Sequence, residues 1–168
     1  MTGLTTLAQI RILIGIFIVA LVVSGVTAFP LETELRIGVD VLRATFVPQL
    51  LPDLLVWLDR VLIGLTATND AYPFLAYGTD WLAFAHLVIA VLFIGPLRNP
   101  VRNIWVIQWG MVACVGIIPL ALIAGAARGI PFGWTLIDIS FGAFGIIPLL
   151  IVLRLTRRIE RDESEAVT

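Results

Sequence analysis

The sequence predicts an all-α, polytopic membrane protein: a bundle of four transmembrane helices with an amphipathic helical segment between helices 1 and 2 on the outer side. Two observations carry this prediction. Apolar residues make up 60% of the 168 residues and charged residues only 14%, and the mean hydropathy is +1.03. The apolar residues also fall into four long runs, each about the 17 to 25 residues that cross a bilayer. A soluble protein of this size needs charged surface all round, so lipid is the solvent that suits this chain.

The four runs give the transmembrane helices of a single predicted membrane domain. They cover residues 12–28, 81–97, 104–127 and 131–153. In lipid each run must satisfy its own backbone hydrogen bonds, and no alternating strands of a barrel are visible, so each is predicted to be a helix. The first run has a second interpretation, a signal peptide cleaved after Ala28. We favour a retained helix because Arg11 is the only charged side chain before it and Pro30 follows the cut.

The distribution of the arginines predicts the orientation of these helices in the membrane. Seven of them precede the first helix, join the second to the third or follow the fourth: Arg11, Arg98, Arg102, Arg154, Arg157, Arg158 and Arg161. Positive charge is retained on the cytoplasmic side of a membrane. We therefore expect a multi-pass protein of the cell (inner) membrane with cytoplasmic N- and C-termini, a cytoplasmic tail over residues 154–168 and residues 30–79 outside. The tail from residue 160 is acidic and without aromatic residues, which predicts a frayed, solvated end.

The outer segment, residues 30–79, is predicted to contain two amphipathic helices. Residues 31–46 and 54–65 each align apolar side chains at helical spacing, and residues 68–70 have the composition of a turn. Helices of this kind lie on lipid headgroups or fold over the bundle as a cap. The charges around them are mixed and give no attraction to anionic lipid, which favours the cap.

Four ionisable side chains are predicted near one depth in the outer leaflet. His86 lies some five residues inside helix 2, roughly 8 Å down at a rise of about 1.5 Å per residue. Asp138 lies about seven residues into helix 4, near 10 Å down, with Asp80 and Arg128 at the outer ends of their helices. Because such groups are costly in a membrane, each marks a candidate site. They either pair structurally, Asp138 with His86 or Arg128 and Asp80 with Arg128, or line a pocket open to the outer side.

The pocket interpretation names the candidate site residues. His86 and Asp138 are candidates for acid–base catalysis. The candidate ligand-binding residues are Asp80, His86, Arg128, Asp138, Tyr77, Trp81 and Trp134, with Glu32 and Glu34 at the rim. We expect no cofactor and no metal, since one cysteine and one histidine cannot supply the four ligands of a structural zinc site.

Small residues and prolines mark the helix contacts. Gly116, Gly142 and Gly145 are expected to let another helix approach closely. Pro119 and Pro148 each remove a helix hydrogen bond and favour a bend.

The leading functional hypothesis is a non-enzymatic small membrane protein, an accessory subunit or a binder of a lipid or quinone-like ligand at an outer-leaflet polar pocket. The alternative is a membrane-embedded enzyme that uses His86 and Asp138 as an acid–base pair. A second alternative is a proton-coupled carrier, for which only Gln108 offers a polar path to the inside. The expected partners are the lipid bilayer, a lipid or quinone-like ligand, and a second copy or a larger membrane complex. The near-neutral charge balance gives no support to nucleic-acid binding.

Overall fold

The computed structural model describes residues 2–165, which are helical almost throughout and contain no strand. Four stretches are long and apolar enough to cross a membrane: Thr5–Ala28, Pro73–Arg98, Ile104–Arg128 and Phe132–Glu165. The predicted all-α class with four spanning helices is therefore confirmed, as is a helical segment between the first two.

The helices follow one another with short connections. They are α1 (Thr2–Ala28), α2 (Leu31–Arg43), α3 (Val47–Leu50), α4 (Pro52–Ala71), a 3-10 turn (Pro73–Ala76), α5 (Tyr77–Leu92), α6 (Ile94–Arg98), α7 (Ile104–Arg128) and α8 (Phe132–Glu165). They group into two compact units, unit 2 being Val22–Leu87 and unit 1 the chain before and after it. The prediction of a single membrane domain stays a prediction.

Two predicted boundaries are wrong. The turn expected at residues 68–70 is helical, since α4 continues to Ala71. The break comes at Tyr72, which is not helical (φ −142°, ψ 62°) because Pro73 disfavours the helical conformation of the residue before it. The frayed end expected from residue 160 is also wrong as far as Glu165, where α8 ends. Arginine and glutamate propagate an established helix well. Residues 166–168 lie outside the described part.

Unit 1 is built around the packing of α7 against α8. Gly142 lies so close to α7 that a Cβ there would overlap the Cys114 carbonyl oxygen, and a Cβ on Gly145 would lie 3.1 Å from Cys114 Sγ. These two glycines confirm the expected close approach. The same expectation is wrong for Gly116, which is exposed and has nothing within 4 Å of its Cβ position. Apolar side chains complete the core, among them Ile10, Ile14, Phe93, Val106, Ile107, Leu149 and Val152.

Unit 2 contains a helical hairpin, in which α2 and α4 pack against each other around the buried side chains of Val39 and Leu58. At the end of the hairpin near α3, Arg43 Nη2 donates to Asp59 Oδ1 at 2.7 Å. In the same unit the end of α1 meets α5. A Cβ on Gly25 would lie 2.9 Å from the backbone oxygen of Ala83 and 3.1 Å from His86 Cβ. Small residues therefore set this contact as well.

Candidate functional site

Unit 2 contains a half-open cavity of about 320 Å³ at the base of the hairpin. Its walls come from the end of α1, the first turn of α2, the last turns of α4, the 3-10 turn and the start of α5. The lining residues are Phe29, Pro30, Leu31, Glu32, Thr33, Leu65, Thr68, Asn69, Leu75, Ala76 and Thr79.

Two prolines bring these helix ends together. Pro30 stands between α1 and α2, and Pro73 is the first residue of the 3-10 turn that follows α4. Proline fixes its own φ and restricts the residue before it, so the chain leaves one helix and starts the next within one or two residues. The ends of α1 and α4 and the starts of α2 and α5 therefore lie around one space.

Glu32 is the only charged side chain in the lining, and all its bonds are made within the hairpin. Its Oε1 accepts from Arg36 Nη2 at 2.7 Å and from Thr66 Oγ1 at 2.8 Å, and its Oε2 accepts from Asn69 Nδ2 at 2.7 Å. The Glu32 side chain is 24% exposed. The hydrogen bonds from Asn69 and then Thr66, with a further contribution from Arg36, lower the pKa of Glu32. The carboxylate is thus ionised at neutral pH and joins α2 to α4 beside the cavity.

The other polar groups of the lining are neutral. Thr33, Thr68 and Thr79 line the cavity, and within residues 2–165 none of their hydroxyls has a hydrogen-bond partner. A hydroxyl both donates and accepts. The cavity therefore combines apolar walls with three hydroxyl groups that remain able to bond a ligand.

Four of the predicted site residues lie on α5 in unit 2, and none of them lines this cavity. The rings of Tyr77 and Trp81 meet edge to face with centroids 6.0 Å apart. His86 Nδ1 lies 2.8 Å from the carbonyl oxygen of Leu82. Because a carbonyl only accepts, Nδ1 is the donor in this hydrogen bond. Asp80 is half-buried in the first turn of α5.

The remaining predicted site residues lie in unit 1. Arg128 is exposed at the end of α7, while Trp134 and Asp138 are half-buried on α8. The structure does not join Arg128 to Asp138, because neither forms an ion pair with a described residue of unit 1. Pairing of His86 with Asp138 stays a prediction. Among the described residues, no group of three or more His, Cys, Asp or Glu side chains is placed to hold a metal.

The sequence predicts Glu32 and Glu34 only as rim residues and gives no prediction for the threonines and Asn69. Glu32 does line the cavity, whereas Glu34 is exposed and outside the lining. The signal for Asn69 was its spacing of three from Thr66, which puts both on one face of a helix. Because residues 68–70 are predicted to be a turn, Asn69 is not assigned to a helix face.

Known proteins offer no guide to this site: no protein-family model, no curated protein and no solved structure matches the chain.

Proposed function

We propose that this chain is a small, non-enzymatic, multi-pass membrane protein that binds the uncharged polar head of an amphiphile, a lipid or quinone-like molecule, in the unit 2 cavity. The observation that carries the proposal is a cavity with both apolar walls and three unpaired threonine hydroxyls, built between the ends of two membrane-spanning helices. Ligand sites commonly combine a mostly apolar lining with a few polar groups that orient the ligand.

The charged groups of the cavity lining indicate that the ligand's head group is uncharged. No arginine lines the cavity, and the one carboxylate, Glu32, already accepts three hydrogen bonds. A phosphate head would need basic partners, which bind it through charge-assisted hydrogen bonds. The hydroxyls of Thr33, Thr68 and Thr79 instead suit the carbonyl or hydroxyl oxygens of a neutral head.

The size of the cavity determines how much of the ligand it holds. Its volume of about 320 Å³ is at the lower end of ligand pockets, about 300 to 1,000 Å³. We infer that the head enters the cavity and the apolar tail stays in lipid. Phe29, Leu31 and Leu75 support this arrangement, because all three line the cavity and are also exposed.

The proposed orientation places this cavity at the outer face of the cell membrane. It rests on the seven arginines of the predicted cytoplasmic segments, against four on the other side. A ligand would then reach the site from the outer leaflet.

Cavity-filling substitution tests the proposal. Ala76→Trp would occupy the cavity, while Ala67→Trp adds the same side chain at an exposed position of α4 outside the lining. We expect native mass spectrometry of protein extracted from membranes to show an apolar adduct on wild type and on Ala67→Trp that is lost from Ala76→Trp. Thr68→Val, which removes one hydroxyl at nearly constant volume, should weaken the adduct. An adduct retained equally in all variants, or absent from wild type, contradicts the proposal.

A further inference from the structure

Five charged side chains of the α2–α4 hairpin lie along one flank. Arg43 bonds Asp59 across the two helices at one end, and Glu32 bonds α4 at the other. Arg36 and Asp40 are spaced three or four residues from these α2 residues, so the helical repeat puts them on the same side. We call these five residues the charged flank.

The opposite flank carries apolar side chains, while Glu34, Asp53 and Arg60 lie on the outer faces beside it. By helical spacing this flank contains Leu31 and Leu42 of α2 and Trp57 and Val61 of α4, on the other side of the buried side chains of Val39 and Leu58. Leu31 is exposed and the other three are half-buried. We call these four residues the apolar flank. The hairpin is therefore amphipathic as a pair of helices.

The tip of the hairpin is also apolar and exposed. Phe46, Leu50 and Leu51 are 71%, 67% and 55% exposed, and they lie within six consecutive residues. Pro48 and Pro52 stiffen this turn by fixing φ. Three large apolar side chains so close together on an exposed turn form a patch of the kind that marks an interaction surface.

Both ends of the hairpin are joined to membrane-spanning helices. α2 starts three residues after α1 ends, and α4 ends two residues before the span Pro73–Arg98 begins. The base is therefore held at the bilayer surface, and a helix of α4's 20 residues reaches about 30 Å at a rise of about 1.5 Å per residue. Because both ends are attached in this way, the hairpin always faces the lipid surface at high effective concentration.

We propose that the hairpin lies in the membrane interface, with the apolar flank and the tip in the headgroup–acyl boundary and the charged flank toward water. The charged flank holds three acidic and two basic residues, so apolar burial and the two covalent attachments, not attraction to anionic lipid, hold the hairpin down.

Depth-dependent fluorescence quenching tests this proposal. A polarity-sensitive fluorophore is attached to Leu50→Cys at the tip, or to Asp40→Cys on the charged flank as the matched control, both in the Cys114→Ala background. The full-length protein is reconstituted in phosphatidylcholine vesicles. We expect the Leu50 probe to show a blue-shifted emission and quenching by lipid spin-labelled near the headgroup, and the Asp40 probe to be quenched by iodide in the water.

Two results would overturn the proposal. Equal quenching of both probes by iodide would place the tip in water. A Leu50 probe shielded from spin-labelled lipid and from iodide alike would show that protein, such as a second copy of this chain, covers the tip. Replacing part of the phosphatidylcholine by phosphatidylglycerol should leave the depth of the Leu50 probe unchanged. None of these readings depends on a ligand in the cavity, so failure here is distinguishable from failure of the proposed function.

Discussion

The contact between α7 and α8 predicts a measurable cost for one added methyl group. In Gly142→Ala the new Cβ would overlap the Cys114 carbonyl oxygen and lie 3.4 Å from Ile117 Cβ. A backbone oxygen cannot rotate away, so the two helices must separate. Overpacking costs about 1 to 3 kcal/mol, while glycine to alanine within a helix returns about 0.5 to 1 kcal/mol. We expect a net loss of about 1 to 2 kcal/mol in the free energy of unfolding.

Gly116→Ala is the matched control in the same pair of helices. Its Cβ meets nothing within 4 Å, so only the helix preference remains and stability should rise by up to about 1 kcal/mol. Unfolding by sodium dodecyl sulfate in mixed micelles, followed by tryptophan fluorescence, measures both variants, since three of the five tryptophans lie on α7 and α8. Equal effects of the two substitutions, or a Gly142→Ala protein as stable as wild type, would refute the packing argument.

Three further predictions concern unit 2 and the topology. Gly25→Ala should weaken the contact of α1 with α5 and lower the melting temperature, because the new Cβ would lie 2.9 Å from a backbone oxygen of α5, whereas Gly15→Ala, with nothing within 4 Å, should not. The hydrogen bonds from α4 lower the pKa of Glu32, so their stabilisation is complete above the ordinary glutamate pKa of about 4.3 and is lost as pH falls through the lowered value. The protection factors of the hairpin amides, which are corrected for the intrinsic pH dependence of exchange, should fall on that descent, and less so in Glu32→Gln. An export-dependent reporter should be active when fused after Gly64 and silent after Asp162, and the reverse pattern would contradict the proposed orientation.

Much of the fold follows from the sequence because lipid imposes simple rules on it. A long uncharged run has few structures open to it in a bilayer, so four spanning helices could be predicted from composition alone. The exact helix ends depend on the balance between local preference and tertiary hydrogen bonds. Residues 68–70 have the composition of a turn, but hydrogen bonds from Asn69 and its neighbour Thr66 to Glu32 occur within a continuing helix. These hydrogen bonds join residues more than thirty positions apart, and they outweigh the turn preference of residues 68–70. A local sequence pattern cannot reveal such a contact.

The candidate site shows the same limit more sharply. Charge and predicted depth in the membrane made His86 and Asp138 the candidate site residues, because ionisable groups within apolar runs are easily recognised in a sequence. The cavity is instead lined by three threonines and apolar side chains with one paired carboxylate. None of these residue types, taken alone, predicts a binding site. It exists because prolines bring four helix ends together, which is a property of the folded chain.

The most direct test of the central claim is to find where an uncharged amphiphile binds. A diacylglycerol carrying a photoactivatable diazirine beside the glycerol would be cross-linked to the full-length protein in phosphatidylcholine nanodiscs, and the modified peptides sequenced. The account predicts cross-links concentrated in residues 29–33 and 65–79, lost in Ala76→Trp and retained in Ala67→Trp. Cross-links spread over the lipid-facing side chains of all four spanning helices, and unchanged by Ala76→Trp, would contradict it.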